Sequence, residues 1–189
     1  PLWERLLRPF LLAALNTEPE AGTADLAGAV IRETLARGGQ ASLPRIATPS
    51  LAAAFVDPAL EWLWQTGATI RFGRRLRGLD LDGERVAALA FADGTVPLAS
   101  GDALVLAVPP WVAQDLLPGL IVPDAHRAIL NAHFRIAPPP GAPPMLGLIG
   151  GTAEWVFAFP DRLSVTVSAA DSLLDMETET LTARLWRDV

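Results

Sequence analysis

Cysteine, lysine and tyrosine are all absent from this chain of 189 residues. Without cysteine there is no disulfide, no thiol nucleophile and no thiolate zinc site. Without lysine and tyrosine, neither can act as a catalyst. All fifteen basic residues are therefore arginine, a pattern that reads as coding bias rather than chemistry. Two histidines are too few for a histidine metal cage, and no metal site is expected. The net charge is −6 and no basic cluster is followed by aromatics, which argues against a nucleic-acid partner. No apolar run approaches the roughly 20 residues that cross a bilayer. No G-x-G-x-x-G follows a strand, so the dinucleotide fingerprint is missing; Gly38-Gly39 and Gly150-Gly151 do not have its spacing.

What is abundant is apolar surface. Apolar residues make up 51% of the chain and the mean hydropathy is +0.32, high for a free soluble domain. The chain begins at Pro1 rather than Met and stops at Val189 inside a helical pattern, so both ends read as cut. The expectation is a piece whose surface is covered by further protein or touches lipid. Alone, it should self-associate.

Periodicity gives an α+β order: helices, a meander, a short helix, an antiparallel sheet and a terminal helix. Leu2 to Asn16 is helical, with a kink expected at Pro9. Asn16 suits the left-handed C-cap of that helix. A second helix runs from a Thr23 cap to Arg37, ahead of Gly38. Another begins at Ser50, restarts at Asp57-Pro58 and ends at Gly67, with Leu60, Leu63 and Trp64 inward. Asp82-Gly83 and Asp93-Gly94 mark hairpin turns between short strands. Val105 to Val108 reads as a strand buried on both faces. Pro110 to Leu117 is a short helix. Ile129 to Ile136, Met145 to Ile149, Trp155 to Phe159 and Leu163 to Ala169 are strands. Ser172 starts the last helix, with Asp175 as a capping partner. These segments divide the chain at 1–66, 67–110 and 111–189.

Several segments carry a resemblance, in order along nearly the whole chain. "LWERLLRPFLLAALNTEPEA", "SLAAAFVDPALEWLWQTGATI", "ILNAHFR", "MLGLIGGTAEWVF" and "VSAAD" are similar to segments of squalene-associated FAD-dependent desaturases. That family lies within the amine oxidase and phytoene desaturase superfamily. The 67–110 segment resembles the superfamily's β-meander, whose exit strand returns to the flavin through Asp102, Leu104, Val105, Ala107 and Pro109. Glu18, before Pro19, and Glu154, where glutamine is usual, are departures.

The resemblance implies the central section of an FAD-dependent oxidoreductase acting on a C30 polyprenyl, reducing hydroxysqualene to squalene in hopanoid biosynthesis. Residues 1–66 and 111–189 would then belong to the substrate domain, and 67–110 to the FAD-binding domain. FAD would sit mainly on the missing portion of the same protein. The location implied is the bacterial cytoplasm, with peripheral membrane contact left open. A non-catalytic lipid- or partner-binding domain, or a related carotenoid desaturase or amine oxidase, is the alternative.

Site residues follow from this resemblance. Leu76 would present its backbone to the adenine of FAD, and Ala107, Val108 and Pro109 would pass close to the cofactor; otherwise these are plain strand residues. Asn131 and His133 share one strand face by period two. There His133 would donate a proton to a departing hydroxyl, with Asn131 beside it; the alternative is a solvated sheet face. Asn16 is either a helix cap or a substrate contact. Phe134, Trp155 and Phe157 would line a polyprenyl channel or simply fill the core.

Overall fold

A computed structural model describes residues 1–189. The architecture is α+β, with five α-helices and two antiparallel sheets. The chain forms two compact units, residues 1–46 with 127–189, and residues 47–126. These boundaries cut across the three segments read from the sequence. The N-terminal helices fold with the C-terminal sheet because Asn16 reaches it. Its Nδ2 donates to the Arg127 carbonyl at 3.0 Å, and its Oδ1 accepts from the Ala169 N–H at 2.7 Å.

In the first unit, wide π-type turns at Trp3–Leu7 pass into α1, Arg8–Leu15. The change of winding falls beside Pro9, which lacks the N–H an interior helical residue would donate. Leu11 and Leu12 are buried, and Asn16 caps the helix at φ 49. The second helix, α2, spans Ala24–Glu33 and stops short of Arg37. Thr34 leaves the helical conformation, its Oγ1 donating to the Val30 carbonyl at 2.6 Å, and a single 3₁₀ turn follows at Leu35–Arg37.

The sheet of this unit has four strands. Numbered along the whole chain, they are β4 (Leu130–Phe134), β5 (Met145–Gly147), β6 (Trp155–Phe159) and β7 (Arg162–Val167). Their order is β4-β7-β6-β5, all antiparallel. One face packs on the last helix, α5, Thr178–Asp188. Val156, Val165, Val167 and Leu185 are the buried centre, with Leu130, Ala132, Phe134 and Leu163 against them. Fully burying one such side chain contributes about 1.5–3 kcal/mol. The last helix does not start at Ser172. That residue lies in a 3₁₀ turn, and Asp171 beside it spends its carboxylate on the Ala128 N–H at 3.3 Å. Glu177 is the N-cap instead, accepting from the Thr180 N–H at 2.9 Å. A carboxylate there also complements the helix dipole.

In the second unit, Ser50 Oγ accepts the Ala53 N–H at 3.1 Å and opens a run of π-type turns, Ala52–Val56. This run continues as α3, Asp57–Gln65, and Gly67 at φ 86 closes it. Leu60 and Leu63 are half-buried, but Trp64 points outward, 50% exposed. The meander comprises β1 (Leu76–Asp82), β2 (Arg85–Phe91) and β3 (Gly94–Pro97). Both glycines sit one place off the central positions expected of an Asp-Gly turn. Gly83-Glu84 and Ala92-Asp93 form the turns, with positive φ at Gly83 and at Gly94 just after.

The strand expected at Val105–Val108 is not formed. Val105 is 87% exposed, and residues 102–107 run as unpaired chain. An apolar strand of that kind needs ladder neighbours, and neither sheet supplies them. Pro110–Leu116 then forms α4, and Gly119 turns the chain away at φ 97.

Candidate functional site

The four-stranded sheet has a second face, away from α5, and its register determines which side chains meet there. Asn131 stands opposite Thr166, Thr166 opposite Trp155, and Trp155 opposite Gly147. One step along, His133 stands opposite Ser164, Ser164 opposite Phe157, and Phe157 opposite Met145. Directly opposed residues in an antiparallel ladder share a face. Four of the residues singled out from the sequence, Asn131, His133, Trp155 and Phe157, are therefore on one surface.

Side-chain contacts follow those rows. His133 Nδ1 lies 2.9 Å from Ser164 Oγ, and Ser164 itself is 7% exposed. The Thr166 hydroxyl donates to Asn131 Oδ1 at 2.8 Å. The Trp155 indole lies over Gly147, where an added Cβ would come within 3.0 Å of Cζ3. Trp155 Nε1 is buried and has no hydrogen-bond partner. Asn131 and His133 are exposed, while Trp155 and Phe157 are half-buried. The imidazole is thus held at Nδ1 and open at Nε2, an arrangement able to pass a proton.

Phe134 does not join them. It lies on the opposite face and packs against Trp186, ring centroids 5.0 Å apart. Period two separates it from His133, and it packs, partly buried, against the core on the α5 side. Asn16 is also set apart: both ends of its amide are engaged by backbone groups. Sequence reading missed Ser164 and Thr166 as partners, and Gly147 as the seat of Trp155. The alternation of Leu163 to Ser168 separates the two faces of β7. It does not say which strands flank it.

The residues expected near a cofactor lie in the other unit. Leu76 opens β1, half-buried opposite Phe91, and a register shift follows between Leu76 and Gly78. Ala107 is exposed, Val108 half-buried, and Pro109 precedes α4, its carbonyl accepting the Ala113 N–H at 3.0 Å. Residues 102–107 run without a strand partner, and Ala103 and Ala107 are the small residues among them. No glycine-rich turn between strand and helix is present to hold a pyrophosphate. The pyrophosphate end of a dinucleotide therefore does not fit this stretch of the chain.

A groove of about 620 Å³ opens between α4 and the following chain, lined by Trp111, Gln114, Leu120 and His126. His126 meets the Trp111 ring edge-on at 5.2 Å.

Comparison with known proteins settles the family. The profile of flavin containing amine oxidoreductases matches residues 1–137. The chain belongs to that family. It is 53% identical over its whole length to a hydroxysqualene dehydroxylase of Rhodopseudomonas palustris, of which it covers 46%. Against proteins of the same name from Sinorhizobium fredii and Zymomonas mobilis, identity is 50% and 48%, again over all of this chain and 45% of theirs. The chain therefore spans about half the length of these relatives. No solved structure gives a significant match. None of the helices is long and apolar enough to cross a membrane.

Proposed function

We propose that this flavin-family chain is the central part of an FAD-dependent oxidoreductase that converts a hydroxylated C30 polyprenyl, hydroxysqualene, into squalene. Near-50% identity to three hydroxysqualene dehydroxylases, along the entire chain, is the observation that carries this reading. Replacing C–OH by C–H consumes a hydride equivalent and a proton and releases water. FAD in its reduced form supplies the hydride equivalent when bound. The unladdered backbone of Leu104 to Val108 and the start of β1 at Leu76 would border it, with its phosphates held by the remainder of the protein.

The protein's own contribution is acid and shape. His133 would donate a proton from Nε2 to the departing hydroxyl, since histidine exchanges protons near neutrality. Ser164 would hold Nδ1, and Asn131 with Thr166 would keep the adjoining surface polar. Trp155 and Phe157 would contact hydrocarbon. Each buried methylene contributes about 0.8 kcal/mol, so a long polyprenyl needs few polar contacts. The exposed apolar residues of the 47–126 unit would be covered by the rest of the protein or rest against a lipid surface.

The test is the full-length flavoprotein, reduced anaerobically and given hydroxysqualene. Squalene, formed in proportion to flavin oxidised, is the expected product. Tight lipid binding without turnover would overturn the enzyme reading in favour of a lipid-binding module. Turnover of an amine or carotene instead would replace the substrate.

A further inference from the structure

We infer that the open face of the four-stranded sheet orients its lipid, with hydrocarbon over β5 and β6 and oxygen over β4 and β7. This rests on the proposed function and goes beyond it, because it assigns a direction to the bound chain.

The two rows across this face are divided in the same way. The β4–β7 half presents Asn131, Thr166, His133 and Ser164, joined in two side-chain pairs at 2.8 and 2.9 Å. The β5–β6 half presents the rings of Trp155 and Phe157, with Met145 and Gly147 beside them. The boundary therefore runs between β6 and β7, along the strands. A long hydrocarbon with one hydroxyl has the same division. Lying along the apolar half, it can bring its oxygen to the polar half without burying an unpaired polar group.

Gly147 is what makes the apolar half flat. Its missing side chain lets the indole of Trp155 lie on the β5 backbone, and even a methyl group there would be 3.0 Å from Cζ3. The ring holds this position although its Nε1 has no partner within the chain. That N–H belongs to the strand bordering the polar half and has no acceptor within this chain. Ser164 is the only one of the four polar residues that is buried, so its hydroxyl fixes the imidazole from below rather than facing the lipid.

The experiment is equilibrium binding of radiolabelled hydroxysqualene and radiolabelled squalene to the full-length flavoprotein in one detergent. Phe157→Ala and Gly147→Val should weaken both lipids by the same factor, about tenfold or more. His133→Ala and Asn131→Ala should weaken hydroxysqualene by about 2- to 10-fold and leave squalene unchanged. Phe157→Leu and Gly147→Ala are the milder variants should the first pair lose flavin or melt early. Polar variants that weaken squalene equally, or apolar variants that affect the alcohol alone, would overturn the orientation. If squalene forms normally while binding shows no such division, the orientation falls and the function stands. If the wild type neither binds nor converts hydroxysqualene, both fall.

Discussion

Asn16 and Ala169 are the two non-glycine residues with a left-handed backbone, at φ 49 and φ 45, and a 2.7 Å hydrogen bond joins them. The first ends α1 and the second follows β7. Asn16 also holds the Arg127 carbonyl, three residues before β4. One amide thus ties a helix to the entrance of one strand and the exit of its neighbour. Asparagine tolerates the left-handed region, whereas alanine does not do so readily. Asn16→Ala should therefore cost about 2–3 kcal/mol, two hydrogen bonds and a backbone preference together. Ala169→Gly should be neutral or stabilise by up to about 1 kcal/mol. Urea midpoints check both; equal destabilisation by the two variants would refute the clamp.

A second tie joins α5 to the β5–β6 connection. Asp188 Oδ2 accepts from the Thr152 and Ala153 N–H groups at 2.6 and 2.9 Å. Gly151 leaves room for it, since a Cβ there would lie 2.9 Å from the Asp188 carboxyl carbon. Gly151→Ala and Asp188→Ala should each lower stability, the second by about 1–3 kcal/mol. The double variant should lose little more than the worse single one. Additive losses would show that the two residues act separately.

Much of this architecture is legible in the sequence because it is local. Alternation along Leu130 to Phe134 separates His133 from Phe134, and Asp-Gly pairs lie at both meander turns. What is not legible depends on distant partners. β7 sits at the centre of its sheet because β4 and β6 both pair with it, and nothing within 162–167 states that. The apolar run at Val105 reads as a buried strand, yet burial requires ladder neighbours that neither sheet provides. Trp64 looks inward on a helical wheel, but the wider turns at Ala52–Val56 precede it and no residue of α3 is fully buried. For the site, residue types were legible and their partners Ser164 and Gly147 were not.

Acid should loosen the meander. A hydrogen bond from the Arg74 guanidinium, 2.7 Å away, is the main cause holding the Asp93 carboxyl below its ordinary value of 3.8. The folded state binds that proton less readily than the unfolded one. The stabilisation is therefore fully present above 3.8 and is lost as pH falls through the lower folded value. Arg74 also stacks on Phe91, so its loss removes packing as well as charge. Amide exchange in β2 and β3 from pH 5 to 2 is the measurement. An Arg74→Met variant should flatten its pH dependence; an unchanged profile would mean the pair contributes nothing.

His133→Ala in the full-length enzyme should lower turnover by about 10²–10⁴-fold, the contribution of a positioned general acid. Its melting temperature and flavin content should stay near wild type, because His133 is exposed on β4 and outside the core. Ser164→Ala should lower kcat less and shift the alkaline limb of its pH profile, where a proton donor is lost, since Ser164 acts on the imidazole rather than on substrate. Unchanged turnover in His133→Ala would end the proton-donor assignment. Lost turnover together with lost flavin would make the residue structural.

The isolated chain should self-associate and hold flavin weakly or not at all. Phe55, Trp62, Trp64, Phe72, Val105 and Ile121 are all between 50% and 95% exposed. Large apolar patches of this kind seek partners. On the proposed reading the same unit would border the flavin, with no glycine-rich strand-to-helix turn to hold its phosphates. Both properties should therefore change together when the remaining half of a relative's length is supplied. Sedimentation of the 189-residue chain at tens of micromolar should show oligomers, and its visible spectrum should lack a stoichiometric flavin band. Co-expression with the remaining portion should restore a yellow species of defined size. A monodisperse, colourless monomer would remove the argument from exposed surface. A yellow monomer would remove the argument that the phosphates are held elsewhere.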